Sequence, residues 1–136
     1  KVARRAKKAL WLFFLDLDGL KQINDRLGHQ EGDLALIQTA EILRKTFRDA
    51  DIIARVGGDE FTVLAIDSSS EESAQVMTAR LQENVREVNT QGGRRYELAL
   101  SLGVARFDPK AMESIEELVA KADTALYEQK RRRQMA

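Results

Sequence analysis

The stretch "ARVGGDEFTVL", from Ala54 to Leu64, joins two apolar, strand-like runs through two glycines and two adjacent carboxylates. Glycine takes up turn positions with positive φ at no steric cost, so the pattern predicts a β-hairpin. A hairpin does not need Asp59 and Glu60 side by side at its tip, because the two negative charges repel each other. The acidic pair is therefore a candidate functional site.

Composition narrows the classes of function. The chain has 136 residues, which fits one domain, and its 22 Lys plus Arg balance 22 Asp plus Glu. This balance predicts no DNA or RNA partner and no contact with a membrane. The absence of cysteine excludes disulfides, thiolate metal sites and cysteine catalysis, and fits a reducing, cytoplasmic location.

The longest apolar run, "ALWLFFL" from Ala9 to Leu15, is too short to span a bilayer. A basic stretch precedes it, as in a signal peptide, but Asp16 and Asp18 follow it with no small-residue cleavage site. Trp11 to Leu17 is apolar on both faces, so we predict a strand in the middle of a sheet.

In the first half of the chain, three segments are predicted to be helical and one pair of strands is predicted to form a hairpin. Residues 1–8 read as the tail of a helix, residues 19–28 as a short helix ending at Gly28, and residues 32–48 as a longer one. Residues 52–56 and 61–66 form the hairpin.

The second half predicts two more helices around a second hairpin. Serines at 68–70 mark a helix start, and the inward stripe of that helix is Ala74, Met77, Leu81 and Val85. A second pair of strands turns at Gly92 and Gly93. Ser114 caps a last helix, with the buried stripe Ile115, Leu118, Val119, Ala122 and Leu126. The order β-α-α-β-β-α-β-β-α predicts an α+β fold with a ferredoxin-like sheet and helices on one face.

Acidic residues from two parts of the chain are expected to meet in this fold. The first strand and the hairpin lie side by side in a ferredoxin-like sheet, which lets Asp16 and Asp59 converge. Converging carboxylates need a cation or a shared proton, and Mg²⁺ accepts carboxylates together with substrate phosphates. Two ions roughly 3.5–4 Å apart could clamp an in-line phosphoryl displacement. The alternative is that these acids are simply solvated at strand ends.

The sequence resembles the GGDEF domain of diguanylate cyclases in four segments, which follow one another in the order expected for that family. They are "LDLDGLKQINDRLGHQEGDLAL" at 15–36, "RVGGDEF" at 55–61, "LSLGVA" at 100–105 and "KADTALYEQK" at 121–130. The resemblance implies a single GGDEF domain over residues 1–136, with a palm-type sheet flanked by helices, similar to nucleotidyl cyclase catalytic domains. It also implies a trimmed domain, because the family's "DxLTGLxNR" segment is missing before Lys1, and no sensor or linker domain is expected.

The family joins two GTP molecules into cyclic di-GMP and releases two pyrophosphates. By resemblance, Asp16, the backbone carbonyl of Leu17 and Asp59 hold Mg²⁺ or Mn²⁺, two ions in each half-site. Asp59, Glu60 and Lys21 are the implied catalytic residues; Asp59 is better suited to be a ligand than a base, because a metal-bound carboxylate is a poor base. Turnover needs a second GGDEF domain in a homodimer.

The resemblance also implies which residues bind substrate and product. Asn24 and Asp33 match the guanine-reading pair, since a carboxylate accepts from the adjacent N1–H and amine donors of guanine. The other implied substrate contacts are His29, Gly57, Gly58 and Lys130. Arg48 and Asp51 match an RxxD site at which cyclic di-GMP inhibits the enzyme; the alternative is a helix-end salt bridge.

One departure bears on activity. The family motif "YxAKxxGRN" puts a lysine and an arginine on the triphosphate, and here Lys130 is present but Gln134 occupies the arginine position. A catalytically weak or degenerate GGDEF domain that acts as a GTP or cyclic di-GMP receptor therefore stays an alternative. Two others are a different palm-like nucleotidyl cyclase or polymerase fragment, and an interaction domain with an acidic turn.

Overall fold

The computed structural model describes residues 9–48, 51–67, 71–93, 95–107 and 113–135. Four strands form one antiparallel sheet: β1 (Ala9–Leu17), β2 (Ile52–Arg55), β3 (Glu60–Asp67) and β4 (Leu100–Phe107). Their order across the sheet is β2-β3-β1-β4, so the hairpin lies directly beside the first strand. This arrangement confirms the predicted ferredoxin-like, α+β sheet.

Strand β1 is central, as predicted from its apolar run. Phe13, Leu15 and Leu17 point to one face of the sheet and are fully buried. Leu12 and Phe14 point to the other face and are also buried. Because successive side chains of a strand alternate between faces, a strand covered on both sides must be apolar throughout.

The helices cover both faces of the sheet. Helices α1 (Leu20–Leu27), α2 (His29–Thr46) and α3 (Glu71–Thr90) pack on the face that carries Phe13 and Leu15. Helix α4 (Ile115–Met135) packs on the opposite face, against β1 and β4. The prediction that all helices share one face is therefore wrong for α4. The even-numbered apolar residues of β1 require a cover of their own, and α4 supplies it.

Helix α4 approaches β4 very closely at Gly103. A Cβ at this position would lie 2.2 Å from the carbonyl oxygen of Ala122 and 2.3 Å from the amide nitrogen of Leu126. Beside it, the Leu102 N–H donates to Oε1 of Gln129 at 2.7 Å. Glycine is therefore required here for close approach of two backbones, and α4 is fixed along the strand.

The predicted second hairpin is wrong in the described residues. Helix α3 continues to Thr90, and Gly92 and Gly93, with φ of 74° and 83°, follow its end instead of forming a turn between strands. The Asn89 side chain exchanges two hydrogen bonds with the backbone of Leu98, at 2.8 and 2.9 Å. The Asn89 side chain on the helix thus forms the two hydrogen bonds of the Leu98 backbone that a neighbouring strand would have formed in the predicted hairpin.

Other boundaries differ from the prediction by a few residues. Helix α2 begins at His29, three residues before the predicted start at residue 32. The predicted cap of α4 is confirmed, since Ser114 Oγ accepts from the Glu117 N–H at 3.1 Å and Glu117 returns a bond to the Ser114 N–H. Ile115 is 60% exposed and does not belong to the buried stripe of α4.

The predicted helix tail in residues 1–8 and the helix start at 68–70 lie outside the described residues. The inward stripe of α3 is confirmed: Ala74, Met77 and Leu81 are buried, and Val85 packs against them. Among the described residues, no helix combines the length and hydrophobicity needed to cross a membrane.

Candidate active site

Carboxylates from β1 and the hairpin meet at one end of the sheet. Asp16 is the Cα partner of Glu60 in the β1–β3 register, and the next amide, Leu17 N–H, donates to the Asp59 carbonyl at 2.8 Å. Oxygens of Asp16, Asp59 and Glu60 all lie within 4.8 Å of one another. We call these three residues the carboxylate cluster. The predicted convergence of Asp16 and Asp59 is confirmed.

The turn that carries Asp59 is held by an arginine. Arg55 donates from Nε to the Gly57 carbonyl at 3.1 Å and from Nη2 to the Gly58 carbonyl at 2.8 Å. The Val56 N–H closes the turn onto the Glu60 carbonyl at 2.9 Å. The sequence did not identify Arg55 as a functional candidate. Its position two residues before a glycine pair is nevertheless compatible with hydrogen bonds to the carbonyls of the turn.

Asp16 is buried, at 7% exposure, in spite of its charge. Burial raises the pKa of Asp16 to about 6; a hydrogen bond from Lys130 opposes the rise, and neighbouring Asp59 adds to it. Its Oδ1 atom is buried and has no hydrogen-bond partner among the described residues. A buried, unpartnered carboxylate oxygen next to two further carboxylates is the environment of a cation ligand.

Lys130 brings a positive charge to the cluster from the other end of the chain. Its Nζ atom contacts Oδ2 of Asp16 and lies 3.7 Å from Oδ1 of Asp18. Burial works to lower the pKa of Lys130, but the hydrogen bond and charge of Asp16, with the charges of Asp18 and Asp59, raise it overall. The lysine is therefore a charged counter-ion at neutral pH.

Asp18 and Ser101 complete this polar network, and sequence reasoning missed both as site residues. Ser101 on β4 is buried, and its hydroxyl donates to Oδ2 of Asp18 at 2.7 Å. The alternation of the "LDLDG" segment puts two acids at a strand end, which was a usable signal for Asp18. No local signal marks Ser101, because its partner is 83 residues away along the chain.

The predicted guanine-reading residues lie where α1 meets α2. Asn24 is half-buried on α1, and its Oδ1 lies over Gly32 of α2, only 1.7 Å from the position of a Cβ there. Asp33, next to Gly32, is exposed, as is His29 at the start of α2. Lys21 is exposed on the first turn of α1. The two helices therefore bring Asn24 beside the residue that precedes Asp33.

Arg48 and Asp51 form a tight turn after α2. The Arg48 N–H donates to Oδ2 of Asp51 at 3.0 Å, and the Asp51 N–H donates to the Arg48 carbonyl at 2.9 Å. The Asp51 side chain is thus engaged by the backbone of Arg48.

The carboxylate cluster fits a magnesium-type cation. Its donors are oxygens, which Mg²⁺ and Mn²⁺ prefer, and three acids offer more negative charge than Lys130 alone neutralises. The Oδ1 atom of Asp16, which has no hydrogen-bond partner in the described part of the chain, can act as a ligand.

Comparison with known proteins identifies the family. The family model described as "Diguanylate cyclase, GGDEF domain" matches residues 1–136. The chain belongs to the GGDEF domain family. The predicted resemblance is confirmed, and Asp59 and Glu60 are the acids of the GGDEF motif itself.

Two curated relatives with different named activities are similar to this chain. The chain is 41% identical over 123 residues to the cyclic di-GMP phosphodiesterase NbdA of Pseudomonas aeruginosa, covering 90% of this chain and 16% of NbdA. It is 35% identical over 134 residues to the diguanylate cyclase DgcP of Escherichia coli K12, covering 98% of this chain and 39% of DgcP. The chain thus spans less than half the length of either relative.

A solved structure of another GGDEF domain has the same fold. The GGDEF domain of PA1120 (TpbB or YfiN) from Pseudomonas aeruginosa superimposes with a TM-score of 0.84 at 32% identity, covering 96% of this chain and 76% of that one. The four-stranded antiparallel sheet and its helices are therefore those of a GGDEF domain.

Proposed function

We propose that this GGDEF domain is the catalytic domain of a diguanylate cyclase, which condenses two GTP molecules into cyclic di-GMP and two pyrophosphates. In this reaction the 3′-hydroxyl of each nucleotide attacks the α-phosphate of the other. The observation that carries the proposal is the convergence of Asp16, Asp59 and Glu60 within 4.8 Å beside the glycine turn.

Asp16, the backbone carbonyl of Leu17 and Asp59 are the proposed holders of Mg²⁺ or Mn²⁺, two ions in each half-site. When bound, such ions neutralise charge on the phosphates. Asp59 acts chiefly as a ligand, and Glu60, the next residue along the chain, supports the metal or the attacking hydroxyl. Gly57 and Gly58, whose carbonyls accept hydrogen bonds from Arg55, are proposed substrate contacts in this turn.

Lys21 and Lys130 are the proposed cationic residues of the reaction. Lys21 is exposed on the first turn of α1, directly after the β1 end that carries Asp16. Its ammonium can neutralise charge that develops on the α-phosphate in the transition state. Lys130 is the proposed triphosphate contact, and the arginine that would act with it is replaced by Gln134.

Guanine selection is assigned to Asn24 and Asp33, with His29 nearby. The Asp33 carboxylate is exposed and free to accept from the N1–H and amine of guanine. Adenine has an acceptor at N1, which a carboxylate repels, so the site favours GTP over ATP. The Asn24 side chain occupies the space over Gly32 that a Cβ would need.

Turnover in this proposal requires two GGDEF domains, each holding one GTP, with product inhibition at Arg48 and Asp51. A guanidinium such as that of Arg48 can bind a phosphate or a guanine edge through two parallel hydrogen bonds. The location proposed for this chemistry is the cytoplasm.

A receptor for GTP or cyclic di-GMP is the second candidate function. Two observations favour it: Lys130 already pairs with Asp16, and Gln134 stands in the place of an arginine. In a receptor the cluster binds nucleotide without efficient transfer.

One experiment separates the two functions. The domain is fused to a dimeric leucine zipper, incubated with radiolabelled GTP and Mg²⁺, and analysed for cyclic di-GMP by chromatography. We expect product from the wild type and none from Asp59→Ala or from ATP as substrate. Absence of product at high protein concentration, with GTP still bound, contradicts the cyclase and supports the receptor.

A further inference from the structure

The ion pair between Lys130 and Asp16 lies inside the proposed metal site. The ammonium contacts one oxygen of Asp16, while the other oxygen of the same carboxylate is buried and unpartnered among the described residues. Asp59, whose carboxylate lies within 4.8 Å of that of Asp16, adds a further negative charge beside the pair. The lysine therefore neutralises part of the cluster from within.

The position of Lys130 is fixed by two independent sets of contacts. On its acidic side, Asp18 lies 3.7 Å from Nζ and is itself oriented by the buried Ser101 hydroxyl. On its backbone side, the preceding residue Gln129 binds the Leu102 amide. The Lys130 side chain is only 34% exposed, so solvent screens its charge less than that of a surface lysine.

A divalent cation at the cluster would lie within a few ångströms of this ammonium. Like charges at such a distance repel, and the repulsion is stronger in a half-buried site than in water. A group that gives the Lys130 ammonium another anionic partner removes the conflict. In the proposed function, that group is the triphosphate of GTP.

We propose that Lys130 is the resident counter-ion of the carboxylate cluster, and that it keeps the affinity for divalent cations low until a triphosphate draws its ammonium away from Asp16. The first half of this statement concerns the nucleotide-free domain alone, and the second half rests on the proposed function. Metal and nucleotide then bind with positive coupling, and couplings of this kind are typically about 5- to 150-fold.

The test is the affinity of the nucleotide-free domain for Mn²⁺, measured by calorimetry at pH 7.5. We expect Lys130→Met to bind Mn²⁺ about tenfold more tightly than the wild type, whereas Lys130→Arg, which keeps the charge, stays near the wild type. The matched control is Lys45→Met. It removes the same charge from α2, on the opposite face of the sheet, where Lys45 pairs with exposed Glu87 at 3.9 Å. Equal or weaker Mn²⁺ binding by Lys130→Met overturns the proposal.

A second measurement needs no variant that might unfold. The side-chain ammonium signal of Lys130 is followed by NMR in the wild type as Mg²⁺ is added, first alone and then with a non-hydrolysable GTP analogue. We expect a small change with Mg²⁺ alone and a large one when the analogue is present. An unchanged signal at saturating Mg²⁺ and analogue contradicts the displacement.

Failure of the cyclase proposal and failure of the counter-ion proposal give different experimental results. If the dimerised domain makes no cyclic di-GMP while Lys130→Met still binds Mn²⁺ more tightly, the counter-ion role stands and the enzymatic one falls. If product forms while the Mn²⁺ affinities are equal, the counter-ion role falls alone.

Discussion

Asp16 and Glu60 face each other as Cα partners on neighbouring antiparallel strands. Like charges directly opposite each other destabilise a sheet, by roughly 0.2–1 kcal/mol in typical pairs. Asp59, the residue before Glu60, adds a third carboxylate within 4.8 Å. The sheet therefore carries an unfavourable cluster, which is expected where acids are kept for ligand binding and not for folding.

Replacing Asp59 should separate activity from stability. In Asp59→Asn, one negative charge leaves the cluster, so we expect the free energy of unfolding in urea to rise by up to about 1 kcal/mol. The same change should reduce cyclic di-GMP formation by at least about a hundredfold, because a proposed metal ligand is lost. The matched control is Glu83→Gln, an exposed acid paired with Arg86, which should alter stability by less than about 0.5 kcal/mol. Wild-type turnover in Asp59→Asn would remove Asp59 from the chemistry.

A methyl group at Gly32 should act on guanine recognition through Asn24. The added Cβ would lie 1.7 Å from Asn24 Oδ1, so the amide must move away. We expect both Gly32→Ala and Asn24→Ala to weaken GTP binding about tenfold, measured by titration of a fluorescent GTP analogue. Glu41→Ala, at an exposed position of the same helix, is the control. Unchanged GTP affinity in Gly32→Ala would show that the orientation of Asn24 is irrelevant to binding.

The turn after α2 allows the proposed product site to be tested with a variant that keeps the hydrogen bonds made by the Arg48 backbone. Asp51 is bound by the backbone of Arg48, so Arg48→Ala keeps both turn hydrogen bonds. We expect a thermal midpoint within about 2 °C of the wild type, and at least a tenfold weaker inhibition by added cyclic di-GMP. Asp51→Ala, in contrast, loses a turn bond and should affect both measurements. If Arg48→Ala is inhibited as strongly as the wild type, product does not bind there.

Stability of the metal-free domain should depend on pH through Asp16. Burial raises the pKa of this carboxyl from 3.8 to about 6, against the hydrogen bond of Lys130 and with the help of Asp59. The folded state then binds the proton more tightly than the unfolded state, so the contribution of Asp16 to stability falls as pH rises from about 4 to about 6.

The measurement is the thermal midpoint in chelator between pH 4 and 7.5, for the wild type and for Asp16→Asn. The wild type should lose stability relative to the variant across this range, and added Mg²⁺ should restore it at pH 7.5 in the wild type only. If the difference in thermal midpoint between the wild type and Asp16→Asn does not vary with pH, Asp16 titrates like a solvated aspartate.

Local patterns in the sequence were sufficient to predict the parts of the fold that are determined by residues close together along the chain. The two-sided apolar run of β1, the glycine hairpin and the Ser114 cap are all short-range signals, and all three are confirmed. The convergence of Asp16 with Asp59 followed from strand adjacency in the predicted sheet, which is also confirmed.

The features that sequence reasoning missed depend on long-range packing. Gly92 and Gly93 suit a hairpin or a helix end equally well, and the Asn89–Leu98 hydrogen bonds decide the matter in three dimensions. Lys130 meets Asp16 across 114 residues, and only after α4 has packed on the face opposite the other helices. No local pattern reports on which face of a sheet a helix lies.

The two-sided burial of β1 has a consequence for how the site opens. Amide hydrogens on a strand enclosed by both layers exchange with deuterium only when the whole domain unfolds, so the backbone beneath Asp16 is as durable as the domain itself. Helix α1, which contributes one buried side chain, Ile23, is anchored far more weakly. The end of the domain that carries the proposed guanine-reading residues is therefore expected to open before the strand that carries Asp16 does.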